Sequence, residues 1–158
     1  MRIIYRALTL LLVALAAIQT AALAWFMGGA ITWTDAGGTL TDDLMWGDAP
    51  PFAGVHGLTV HWFVGSILVP AVALAVAVVA ALWRNELAIV ASLALVGLAV
   101  VQAMILTGIV VGPATPALQG AIIVVIAAVA AVAPKGAAWA DANREKVKLA
   151  FGTTPLPA

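Results

Sequence analysis

Three stretches of this chain carry no Asp, Glu, Lys or Arg: residues 7–34, 49–83 and 87–134, which are 28, 35 and 48 residues long. Each exceeds the roughly 20 apolar residues that cross a bilayer. A chain built this way is expected to be an all-α integral membrane protein, a single small bundle with no room for a second domain. Composition agrees, since 9% of the 158 residues are charged and 65% hydrophobic, against about 25% charged in a soluble domain. The absence of cysteine excludes disulfides, iron–sulfur clusters, thiolate zinc sites, covalent haem attachment and thiol nucleophiles. Seven basic and seven acidic residues leave a formal net charge of zero and no basic surface for nucleic acid.

The spacing predicts four spans. The first covers residues 7–30, and the second residues 54–83, closed by Arg84, Asn85 and Glu86. The longest run must be two helices, because Gly112-Pro113-Ala114-Thr115-Pro116 interrupts it. Proline cannot continue a helix and restricts its predecessor, and Thr115-Pro116 reads as an N-cap with the first helical position. The third and fourth spans are therefore residues 87–111 and 116–134, making a four-helix domain over residues 1–135.

Basic residues set the orientation. Arg2, Arg6, Arg84, Lys135, Arg144, Lys146 and Lys148 all fall on one side of this scheme, and the positive-inside rule makes that side cytoplasmic, with both termini there. The outer loop, residues 31–53, holds Asp35, Asp42, Asp43 and Asp48 and no basic residue. Trp25, Trp33, Trp46 and Trp62 gather at the outer boundary and Trp83 and Trp139 at the inner one, as in an interfacial aromatic belt. Arg2, an apolar run and Ala22-Leu23-Ala24 also have the form of a cleavable secretory signal, but the run is long for one and contains Gln19, so helix 1 is read as a retained span. The tail, residues 136–158, has two readings. Trp139, Val147, Ala150 and Phe151 would share one side of a short surface helix from Ala138 to Phe151, or the segment is a solvated anchor of topology.

Inside the spans, chemistry is scarce. Gln19, Gln102 and Gln119 each need a partner, because an unpaired amide in hydrocarbon is costly; they read as structural polar groups joining helices. Helix 2 is rich in alanine from Ala71 to Ala81, and Pro70 is expected to kink it. Ala16-Ala17-Ile18-Gln19 with Gly29, and Ala99-Val100-Val101-Gln102 with Gly112, form a faint parallel repeat that pairs the helices as two hairpins. No pattern for phosphoryl transfer, a nucleophilic triad or an intramembrane carboxylate pair is present, and no ligand spacing supports a metal site at Asp42 and Asp43. With no ionisable group near the midplane, transport by the chain alone is not expected.

His56 and His61 are the two histidines of the chain. Five residues apart, they point about 140° from one another around a helix, so one helix cannot aim both at one metal ion. Gly54, Gly57, His61 and Gly65 share a stripe. Such a face could seat a planar ring, haem b being the cofactor, with His61 as axial ligand. It would equally serve close helix contact, with both histidines ordinary interfacial residues beside Trp62.

Tyr5-Arg6 before a Gln19-bearing helix, His56-Gly57 opening helix 2, Gln102 and Gly108 in helix 3, and a short fourth helix together resemble small four-helix bacterial membrane proteins. The pattern, over residues 5–133, is similar to one half of haem A synthase, whose four-helix units carry haem-ligating histidines on helices 2 and 4. The resemblance implies the bacterial inner (plasma) membrane, and His56 as the helix 2 ligand. It places Gln119 at the helix 4 ligand position, and glutamine is a poor ligand for haem iron. The expectation is a non-catalytic accessory or scaffold component of a membrane assembly, whose partners are the bilayer and other membrane subunits or further copies of itself. The alternative is a haem-b-binding or redox-linked protein using a helix 2 histidine.

Overall fold

A computed structural model describes residues 1–41, 52–106, 115–143 and 146. The described chain is helical and without strands: α1 is Arg2–Asp35, α2 is Val55–Trp83, α3 is Glu86–Leu106 and α4 is Thr115–Ala142. All four are long and apolar enough to cross a membrane. They form a ring in which α2 lies between α1 and α3, and α4 packs on both α3 and α1.

Buried positions recur at the three- and four-residue spacing of helices that pack nearly along one another. On α3 they are Ala88, Ser92, Leu95, Ala99, Gln102 and Ile105, and each is matched on α1 by a buried residue 83 positions earlier: Tyr5, Thr9, Leu12, Ala16, Gln19 and Ala22. α1 buries Leu15, Phe26 and Ala30 besides, and Tyr5 and Ala88 are themselves in contact. The faint repeat is thus a repeat of buried faces. Helices α2 and α4 correspond too: Val69, Ala73, Val76 and Ala80 match Ile126, Ala130, Ala133 and Ala137 at one constant separation. Away from the basic end the match moves by one residue, with His61, Val64 and Gly65 corresponding to Gln119, Ile122 and Ile123.

A single wide turn causes that shift. Val64–Leu68 is a π-helical turn within α2, which adds one residue and rotates the following stripe. Pro70 sits just after it, at the start of the resumed α-helix. The wide turn ends where a proline lacking its N–H would otherwise disturb a regular ladder.

Helix ends differ from the expected boundaries. α1 extends about a turn past the expected span at either end, because nothing in residues 2–35 breaks a helix; it stops where Gly37 takes φ +86°. α4 continues through Pro134 to Ala142 instead of ending there, because Lys135 closes the charge-free run without closing the helix. Residues 136–142 therefore belong to α4. The remainder of the proposed surface helix, the acidic residues Asp42, Asp43 and Asp48, Trp46, and the 107–114 break between α3 and α4 lie outside the described residues.

The basic end of the bundle is fastened by specific contacts. Arg84 adopts the left-handed conformation, φ 56°, to close α2. Asn85 then caps α3, its Oδ1 accepting from the Ala88 amide at 2.9 Å, while its Nδ2 donates to the Ala137 carbonyl and to Asp141 Oδ1, each at 3.0 Å. One buried side chain so ties the start of α3 to the end of α4. Tyr5 stacks obliquely on Trp83, ring centroids 5.6 Å apart, and its hydroxyl faces the Ala88 carbonyl at 3.4 Å.

Candidate functional site

The polar groups inside the bundle come from all four helices: Gln19 from α1, His61 from α2, Gln102 from α3 and Gln119 from α4. Counting about 1.5 Å per residue from Arg6, Leu87 and Lys135, the three glutamines stand roughly 20–24 Å from the basic end of the bundle.

His61 is the centre of the group. It is 2% exposed, whereas His56, on another face of α2, is exposed, as a five-residue spacing requires. His61 Nδ1 lies 3.0 Å from the Gln19 main-chain oxygen, and Nε2 lies 2.6 Å from Gln119 Nε2. A carbonyl can only accept, so Nδ1 carries the proton and donates; Nε2 then accepts from the Gln119 amide. In this neutral tautomer both ring nitrogens are satisfied, and one imidazole joins α1, α2 and α4.

The two remaining amides are buried and unsatisfied. Gln19 is 1% exposed and its Nε2 has no hydrogen-bond partner; Gln102 is fully buried and neither its Nε2 nor its Oε1 has one. The Gln19 side chain packs over Gly65, which also faces Leu106 of α3.

The glycine stripe of α2 has α1 and α3 as its occupants. A Cβ built on Gly57 would fall on the Ala22 carbonyl oxygen and 3.0 Å from the Phe26 amide nitrogen, and one on Gly65 would fall on the Gln19 amide. Gly54, at φ +98°, opens α2 directly against the Trp25 carbonyl, 2.5 Å from where a Cβ would lie. Of the two uses of this face weighed from the sequence, close helix contact is the one this geometry serves. A haem does not fit the site as it stands: the glycine face is covered, and an amide nitrogen occupies the place at Nε2 that iron would take. Among the described residues no group of three or more His, Asp or Glu could hold a metal ion.

The resemblance paired Gln119 with His56, but Gln119 meets His61 instead. Asn85, Thr9 and Ser92, all buried, were not singled out from the sequence. Asn85 did carry a signal, because an asparagine just before an apolar helix is a preferred N-cap. Thr9 and Ser92 sit at matching repeat positions and each donates back to a carbonyl of its own helix, Arg6 and Ala88 respectively. Comparison with known proteins finds no matching family model, no matching curated relative and no matching solved structure.

Proposed function

We propose that this chain is a multi-pass integral membrane protein with both termini in the cytoplasm, and that it is a non-catalytic accessory or scaffold component of a membrane assembly. The arrangement of large and small residues supports the membrane reading. Alanines such as Ala73, Ala80, Ala88, Ala99 and Ala137 let the helices approach closely around a few large buried side chains, Tyr5, Leu12, Leu95 and Ile126, while Leu74, Leu82, Leu93, Val124 and Val132 point outward and are more than half exposed. Small residues at the helix contacts and large apolar ones facing outward suit a solvent of lipid tails. The inner membrane of a bacterium is the location that the sequence resemblance favours.

The observation that carries the scaffold reading is His61. The buried imidazole, the group best suited to chemistry, has both nitrogens engaged in joining helices, and Asn85 is committed in the same way at the inner end. Outward-facing Gly28 and Gly97 have nothing within 4 Å of a built Cβ, leaving low surfaces that another helix can approach. Extraction of the tagged full chain in mild detergent is expected to yield a particle larger than one copy in its micelle, and deletion is expected to dissolve that particle. A lone chain whose deletion leaves every membrane complex intact would overturn the reading.

The competing haem-b reading requires His61 to exchange Gln119 for iron, or exposed His56 to act as ligand. An absorption spectrum of protein from haem-replete cells, oxidised and dithionite-reduced, separates the two. The scaffold reading expects no Soret band. A Soret band and reduced α-band lost in His61→Ala or His56→Ala would establish the haem protein.

A further inference from the structure

The inner end of the seam between α1 and α4 holds a cavity of about 320 Å³ lined by Arg2, Arg6 and Lys135 above an apolar floor that includes Leu10, Ala131 and Pro134. Its size falls within the range of small-molecule sites. From this cavity and its charges we infer that the α1–α4 seam is a seat for one anionic phospholipid of the inner leaflet, its phosphate held by Arg2, Arg6 and Lys135.

Among the described residues nothing compensates the charge at this spot. No carboxylate lies within salt-bridge distance of the three side chains among the described residues. Arg2 and Arg6 also stand on the first turns of α1, whose N-terminus has neither an acidic residue nor a side-chain cap. The positive pole of a helix favours negative charge beside it. Two arginines there, with a lysine facing them from α4, concentrate positive charge that an external anion would neutralise.

The walls choose a lipid over a soluble phosphate. Beyond Leu10 the same seam opens into a second crevice of about 470 Å³, lined by Val13, Ala17 and Thr20 of α1 and Ile123, Val124 and Ala127 of α4. From Arg6 to Ala24, its far end, is about 27 Å at 1.5 Å per residue, more than the roughly 15 Å depth of one leaflet's hydrocarbon. Cations at headgroup level with an apolar crevice descending beneath them match a molecule that is anionic at one end and hydrocarbon along its length.

The inference rests on the chain being embedded in a bilayer, and the test separates the two. Membranes from expressing cells are washed with carbonate; a chain released by that wash fails the membrane reading. The retained protein is purified in detergent, stripped of lipid and titrated with phosphatidylglycerol, phosphatidylcholine or inorganic phosphate, with bound molecules counted by native mass spectrometry. One phosphatidylglycerol is expected to bind in preference to phosphatidylcholine, and inorganic phosphate is expected not to displace it. Arg6→Gln and Lys135→Gln are each expected to lower the preference about fivefold, the equivalent of about 1 kcal/mol per basic residue. Arg84→Gln, a basic residue at the same boundary but outside the seam, is expected to keep it. Ala131→Trp fills the seam without changing charge and is expected to lose the lipid while keeping the helical circular dichroism of the parent. Equal binding of the two lipids, displacement by phosphate, or an equal loss in Arg84→Gln would overturn the proposal.

Discussion

Gly57→Ala and Gly97→Ala test whether helix–helix contact is what the α2 glycines provide. At Gly57 the added methyl would fall on the Ala22 carbonyl oxygen and 3.0 Å from the Phe26 amide. Both are main-chain atoms of α1, so no side-chain rotation makes room and α1 and α2 must separate. Overpacking of this kind costs about 1–3 kcal/mol. The separation also strains the His61–Gln19 hydrogen bond one turn away, worth a further 0.5–1.5 kcal/mol or so, for a total of about 3 kcal/mol. At Gly97 nothing lies within 4 Å of the new methyl, and replacing a glycine inside a helix gains up to about 1 kcal/mol. The two variants should therefore move in opposite directions and differ by about 4 kcal/mol, or roughly a thousandfold in the unfolding equilibrium. Equilibrium unfolding in mixed micelles, followed by far-ultraviolet circular dichroism, measures both. Gly57→Ala within about 0.5 kcal/mol of the parent, or a destabilisation shared equally by Gly97→Ala, would refute the contact argument.

Asn85→Ala removes the α3 cap and both bonds to α4, so a loss of about 2–3 kcal/mol is expected in the same unfolding assay, with Asn85→Asp restoring the cap but not the amide donors. Gln102→Leu removes two unsatisfied polar atoms from the interior and is expected to stabilise by about 1–3 kcal/mol; a destabilised variant would show that the amide has a bound partner. Because the chain has no cysteine, single substitutions report topology cleanly. A membrane-impermeant maleimide should label Thr39→Cys on intact cells and Ala142→Cys only after permeabilisation, and the reverse pattern would invert the orientation.

Much of this architecture is written in the charge-free runs, each long enough for one or two apolar helices. The inward turn of Gln19 and Gln102 is legible for a similar reason: an amide has nowhere else to go. The opposed fates of His56 and His61 follow from a spacing of five. What could not be read concerns relations between helices. Which histidine meets Gln119 depends on how α2 and α4 are rotated against one another, and a π turn at Val64–Leu68 changes that rotation by one residue without a diagnostic sequence of its own. The glycine stripe was ambiguous because a flat cofactor and a neighbouring helix both require a missing Cβ. The end of α4 was not legible because the charge-free run closes at Lys135, and a charge ends an apolar run without ending a helix.

The repeat accounts for the site's composition. Helices α1 and α3 present matched faces, as do α2 and α4, so the bundle has an approximate two-fold arrangement in which His61 and Gln119 occupy equivalent places. Equivalent residues near such an axis meet each other. Two identical side chains there would present the same atom twice, and two histidines in the same neutral tautomer would set lone pair against lone pair. A histidine facing a glutamine resolves the conflict, because the amide donates where the imidazole accepts. The π turn belongs to the same solution: it lets α2 keep the His61 face towards Gln19 and Gln119 while Val69, Ala73, Val76 and Ala80 beyond it stay in register with the basic half of the bundle. The departure from symmetry at His61 is thus what allows the nearly symmetric frame to close with its central polar pair satisfied.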